Sequence, residues 1–153
     1  MSTAFSIRLL RPSDLDRILE IEDASFGEDA YDRNLFADFY HKCGELFLVA
    51  VRGKSVCGYM VTCTCGRTPA DRAELVSVAV DPKHRGKGIA SALMDSTLRR
   101  LRRRGIAKLR LCVKVTNLPA IRFYEGYGFT RTRIVRKYYE DGADGWRMAK
   151  SWK

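Results

Sequence analysis

The sequence predicts an α/β fold with a mixed β-sheet, and three observations predict it. A long meander, ELFLVAVRGKSVCGYMVTCTCG, reads as two strands joined at Arg52-Gly53-Lys54, so it predicts antiparallel neighbours. RAELVSVAVDP, then a helical stripe, then AKLRLCVKV make a strand, a crossover and a strand, which demands a parallel pair. The last third ends in two more strand-like runs around the turn Asp141-Gly142 to Gly145. At 153 residues the chain is expected to be a single domain spanning 1–153.

The elements follow in order. Phe5, Ile7 and Leu9 alternate as in a strand, and Pro12 ends it. Ser13 or Asp14 can cap a helix in which Leu15, Ile18, Leu19, Glu20 and Ile21 give helical period. A polar loop, GEDAYDRN, leads to a second helix with Leu35, Phe36, Phe39 and Tyr40 on one face. After the meander, Asp81-Pro82 closes the strand RAELVSVAV. The helix expected from about Gly88 to Arg104 has Ile89, Ala90, Leu93, Met94, Thr97, Leu98 and Leu101 at i, i+3/i+4 spacing. Gly105 stops it. Asn117 is a good N-cap and Pro119 suits a first turn, so a fourth helix runs to Gly126 or Gly128.

Composition narrows the function. No run of 18 apolar residues exists, so no membrane span and no membrane partner are expected. MSTAFSIRLLRPSD lacks an apolar signal core, which predicts a cytoplasmic protein. The five cysteines are odd in number and include no CxxC, so they read as reduced thiols, with no disulfide framework and no metal site. Cys63 and Cys65 would share a strand face. Lys plus Arg number 28 against 18 acidic residues, a formal charge of +10, which suggests an acidic partner: nucleic acid, a ribosome or a polyphosphate ligand. The run LRRLRRRGIAKLR reads as a solvated helix face.

VDPKHRGKGIASALM places cations and glycines where a helix begins. A helix N-terminus exposes N–H groups and carries partial positive charge. Glycines let that backbone approach a phosphate, and flanking cations neutralise the rest. Arg85-Gly86-Lys87-Gly88-Ile89-Ala90 can therefore hold a pyrophosphate, or be a glycine turn whose cations face water. It is neither a Walker loop nor GxGxxG.

Arg85-x-x-Gly88-x-Ala90, preceded by VAVDPKH and followed by an apolar helix, resembles the acetyl-CoA signature of the GNAT acetyltransferases. NLPAIRFYEGYGF resembles a second landmark of that family. RKYYEDGADGWRM is similar to the tail of the ribosomal-protein-alanine and other protein N-terminal acetyltransferases. The resemblance implies a GNAT-like three-layer fold: a mixed, mostly antiparallel sheet whose central parallel pair splays at the cofactor site. It implies acetyl-CoA as cofactor, with pyrophosphate on Arg85, Gly86, Lys87, Gly88, Ile89 and Ala90, and pantetheine beside Val78, Ala79 and Val80. By the same carry-over Asn117 holds the pantetheine region and Tyr124 points toward the sulfur.

The implied reaction is direct transfer of acetyl to a free amine. The Val78 N–H would stabilise the oxyanion and Tyr124 would protonate the leaving thiolate. Read from its residue type alone, Tyr124 is also a helix-end aromatic packed on the sheet. Relatives often carry a Glu as base where this chain has Cys112, a poor substitute with an ordinary pKa of ~8.5. Glu74 is the other candidate base, or simply an exposed carboxylate on its strand. An α-amine, pKa ~7.7–8.0, costs on the order of 1 kcal/mol to free near pH 7; a lysine, ~10.4, costs about 4.6. A protein or peptide N-terminus therefore tolerates a weak base better. The loops carrying Glu28, Asp29, Tyr31 and Asp32, and Tyr138 and Tyr139, are implied to clasp it.

Three readings result. One is an N-terminal acetyltransferase, expected monomeric, not bound to DNA, and able to work beside ribosomes. Another is a GNAT enzyme acting on lysine side chains or a small amine. The last is a basic RNA- or ribosome-binding module without catalysis, weakened because no aromatics interleave with the cations.

Overall fold

The computed structural model describes residues 4–65 and 71–152, the side chain of Cys65 excepted. Among these residues seven strands and four α-helices follow one another in the order the sequence predicts. In chain order they are β1 (Ser6–Leu9), α1 (Leu15–Phe26), α2 (Arg33–Cys43), β2 (Phe47–Arg52), β3 (Ser55–Cys65), β4 (Arg72–Val80), α3 (Ile89–Arg103), β5 (Lys108–Lys114), α4 (Leu118–Gly126), β6 (Thr130–Val135) and β7 (Gly145–Ser151). The strand order is β1-β2-β3-β4-β5-β7-β6. The sheet is mixed and mostly antiparallel, with β4 and β5 the parallel pair. That parallel register covers two positions, Ala73↔Leu109 and Glu74↔Arg110.

The chain forms two compact units, and β4 contributes to both. The first contains β1 to β3, β4 from Leu75 onward, and α1 to α3. Its centre is aromatic: Phe36, fully buried, stacks edge-on against Tyr59 and packs on Phe47. Ile18 and Ile21 come from the apolar stripe of α1, and Val49 and Val61 from alternate positions of β2 and β3. Burying such side chains contributes ~1.5–3 kcal/mol each. On α3, Ile89, Leu93, Met94, Thr97, Leu98 and Leu101 are buried, while Arg99, Arg102 and Arg103, and Arg104 just after it, are exposed. Ala90 is only half-buried.

One expectation fails here. The cysteines are not all reduced, because Cys43 and Cys63 form a disulfide. Cys43 closes α2 and Cys63 lies near the end of β3, and their Cα atoms are 5.1 Å apart, within bonding reach. Spacing of 20 along the chain gave no sign of this proximity, because a fold rather than a motif creates it. Cys57 and Cys112 are free thiols. The expectation that Cys65 shares a face with Cys63 lies outside the described residues.

The second unit contains the start of β4 together with β5, α4, β6 and β7. Leu109, Leu111, Val113 and Met148 alternate onto one buried side, together with Ile121, Tyr124 and Phe129. Asn117 caps α4 by accepting from the Ala120 N–H at 3.3 Å, and Pro119 sits in the first turn.

Candidate active site

In the first unit, β4 ends at Val80 and the chain turns through Pro82–His84 into α3. Asp81 shapes the turn: its carboxylate accepts from the Lys83 N–H and pairs with Arg17. Gly86 and Gly88 both have φ near +80°, a conformation that an L side chain adopts only with strain. Gly88 is the residue from which α3 starts, and its carbonyl accepts the Ala92 N–H at 3.0 Å. The glycines are needed for backbone angle, since a Cβ at either would meet nothing within 4 Å. Arg85, Gly86, Lys87 and Gly88 are exposed, whereas Ile89 anchors the helix start in the core. Arg85 folds back onto the Val80 carbonyl at 3.3 Å. Strand end, positive-φ turn, cations and helix N-terminus thus meet as the sequence suggested.

Val78 and Val80 are half-buried on β4 and Ala79 is buried. Beneath them lies a group that the sequence reading passed over. Glu22, 1% exposed, accepts hydrogen bonds from the Tyr59 hydroxyl, from Ser77 Oγ at 3.0 Å and from the Tyr31 N–H at 2.9 Å. Burial pushes its carboxyl above the ordinary range, against the pull of those bonds. Burial and the neighbouring Glu22 push the Tyr59 hydroxyl well up. The available signal was a Glu on the stripe of Ile18 and Ile21, where an apolar residue belongs. The loop before α2 is therefore tied to the strand carrying Ser77. Within that loop Glu28 is exposed, Asp29 half-buried, and Tyr31 packs edge-on against Phe36 and Phe39. Asp32 caps α2 through the Leu35 N–H at 2.9 Å.

In the second unit Tyr124 is 7% exposed, with its ring against Phe123 and Phe129. Burial pushes its hydroxyl far up, so it keeps its proton throughout the physiological range. Glu74 is held on both oxygens, by Arg110 Nε and Arg147 Nη1, each at 2.9 Å. Cys112 lies opposite Arg147 in the β5–β7 register, and burial pushes its thiol up. Gly145 leaves room beside it: a Cβ there would strike Cys112 Sγ at 2.5 Å and approach Tyr138 Cβ at 3.5 Å. Lys137 turns the chain into this corner with φ +52°, its N–H held by Asp144 at 2.9 Å. Tyr138 and Tyr139 follow, with ring centroids 5.0 Å apart. Glu74, Cys112 and Tyr138 are thus brought into one neighbourhood, and Arg110 and Arg147, which sequence reading did not single out, complete it. Among the described residues no cluster of metal-ligating side chains occurs.

A glycine turn carrying cations at a helix N-terminus suits a phosphorylated ligand. The profile of the Acetyltransferase (GNAT) family matches residues 15–129, and the chain belongs to that family. It is an N-acetyltransferase, and acetyl-CoA is its cofactor.

Among its relatives, the chain is 30% identical to an N-alpha-acetyltransferase of Saccharolobus solfataricus, over 95% of this chain and 92% of that protein. Among solved structures it matches Ard1 from Thermoplasma volcanium with a TM-score of 0.93 and 32% identity, over 99% of both chains. It also matches the ribosomal-protein-S18-alanine N-acetyltransferase from Escherichia coli with a TM-score of 0.82 and 29% identity, over 97% and 94% of the two chains.

Proposed function

We propose that the chain works as one acetyltransferase domain over 1–153 and that the acceptor is the α-amine of a protein or peptide N-terminus. One observation carries the choice of amine. The two groups implied as bases are both poor ones: Glu74 has each oxygen engaged by a guanidinium, and the Cys112 thiol is pushed up by burial. An α-amine needs only about 1 kcal/mol to lose its proton near neutrality, against about 4.6 for lysine. The full-length similarity to an N-alpha-acetyltransferase supports the same choice.

In this reading Arg85, Gly86, Lys87, Gly88, Ile89 and Ala90 hold the pyrophosphate. Val78, Ala79 and Val80 pair with the pantetheine arm and Asn117 contacts it. The amine nitrogen attacks the thioester carbonyl and the Val78 N–H holds the oxyanion. The C–S bond then breaks, Tyr124 gives its proton to the thiolate, and the amine's proton leaves to water or to Glu74 if one of its bonds opens. Glu28, Asp29, Tyr31, Tyr138 and Tyr139 line the peptide's path. Relatives named for a ribosomal protein support work beside ribosomes, with the exposed arginines of α3 toward RNA; a monomer in the cytoplasm is part of the same proposal. Pelleting with ribosomes at low salt and release at high salt tests that part.

The main test is thiol release from acetyl-CoA with matched peptides. One has a free N-terminus and no lysine; the other has a blocked N-terminus and one lysine. Turnover of the first alone is expected. Turnover of the second alone moves the enzyme to lysines, and silence with both points to a small amine.

A further inference from the structure

Strands β5 and β7 sort their side chains onto two faces. Leu109, Leu111 and Val113 go to the buried one; Arg110, Cys112 and Lys114 go to the other. On β7, Arg147 lies opposite Cys112, and across β6 it lies opposite Arg133. Glu74 of β4 is in register with Arg110. Three guanidiniums thus share one face with the Glu74 carboxylate. Glu74 satisfies Arg110 and Arg147. Among the described residues Arg133 is in no ion pair.

Most other acids of this unit have partners of their own. Asp141 binds Lys114 and the Ala143 N–H, Asp144 binds the Lys137 N–H, Glu125 binds Arg131, and Asp71 lies by Arg72. Glu140 forms no ion pair among the described residues. Two like charges directly opposite across strands are destabilising. A sheet that needed only to fold would gain from a neutral residue at position 133 or 147. The side chain of Arg147 is 17% exposed, so its field is screened less than that of a surface arginine. The same cluster borders Tyr138, which stands 45% exposed beside Cys112.

We propose that Arg147 and Arg133 form a subsite for an acidic side chain of the acceptor peptide, placed downstream of the reacting amine, and so set the enzyme's sequence preference. The inference rests on the reading that the acceptor is a protein N-terminus. An incoming carboxylate would supply the negative charge that this face lacks, and a planar guanidinium suits it.

The test is a peptide scan. Free-amine peptides of one sequence carry Ala, Asp or Lys at the second, third or fourth residue, and kcat/KM is read by thiol release. At one of these positions Asp is expected to exceed Ala by about tenfold and Lys to fall below Ala. Raised salt should narrow the gap. Arg133→Gln and Arg147→Gln should each move the Asp-to-Ala ratio toward one, mainly through KM, and Arg133→Glu should reverse it in favour of Lys. Arg133 is exposed, so its variants test the idea even if Arg147→Gln unfolds; acetyl-CoA binding reports folding. Equal turnover of Ala and Asp peptides at all three positions overturns the proposal. An Asp preference untouched by both Gln variants also overturns it, because recognition then lies elsewhere. If no free-amine peptide is turned over while acetyl-CoA binds, the acceptor reading itself has failed, and this inference with it.

Discussion

The turn after β4 and the face shared by β5 and β7 both gather cations, but in opposite ways. In the turn, Arg85 and Lys87 are neighbours in sequence, and the positive φ of Gly86 and Gly88 fixes the backbone between them. In the face, Arg110, Arg133 and Arg147 come from three strands and meet only because the register brings them together. The first arrangement is exposed and built around backbone N–H groups, which suits a ligand shared by a whole family. The second runs from half-buried Arg147 to exposed Arg133 and is built from side chains, which suits discrimination among acceptors. A local motif built on backbone angles is hard to vary; a cross-strand cluster can change one arginine at a time.

The largest expected effect tests whether the second unit supplies chemistry as well as selection. Tyr124→Phe removes a hydroxyl whose proton burial has fixed in place. A fall in kcat of about 100-fold or more is expected, with acetyl-CoA binding retained. Loss of less than threefold would make Tyr124 a packing residue and leave the leaving thiolate to water.

Next comes the disulfide, which belongs to the first unit. Closing 20 residues between Cys43 and Cys63 constrains the unfolded chain by ~3 kcal/mol. Cys43→Ser should lower the urea midpoint accordingly, and reductant should do the same to the parent chain. A midpoint indifferent to reductant would mean that the thiols are reduced in solution.

A smaller effect tests the turn. Gly88→Ala forces a side chain onto φ +80°, at a cost of ~1–2 kcal/mol. Acetyl-CoA affinity is expected to fall about tenfold with kcat at saturation little changed. If instead kcat falls and affinity holds, the turn orients the thioester rather than gripping the pyrophosphate.

How much was legible beforehand follows from the same contrast. The element order, the glycine turn and the Asn117 cap are written in short-range patterns, and a reader of the chain finds them. The engagement of Glu74 by two arginines was not legible, because nothing at position 74 announces positions 110 and 147. The disulfide was missed for the same reason, and the cysteine count argued the wrong way. Glu22 is an intermediate case. Its place on the stripe of Ile18 and Ile21 was visible, but its partners on β3, β4 and the following loop were not.

Glu22 also gives the finest test, since it belongs to the first unit yet works like the second, through long-range bonds. Burial holds its carboxyl above the ordinary value near 4.5. The unfolded chain releases the proton first, so above that pH the folded state binds more protons than the unfolded one. Stability is fully present below about 4.5, and it falls as pH rises from there through the folded value. Glu22→Gln removes the titration and should flatten urea midpoints measured between pH 5 and pH 7.5. The substitution carries its own cost, because an amide that turns its oxygen to Tyr59 must point its N–H₂ at the Tyr31 N–H. One unpaired buried donor costs ~1–3 kcal/mol. The loop before α2 should therefore loosen, and the peptide KM should rise before kcat falls. A variant whose midpoint keeps the parent's pH slope would show that the slope comes from another group. A variant with a flat slope and an unchanged peptide KM would show that Glu22 holds the core alone and leaves the loop to Asp32 and the aromatic packing of Tyr31.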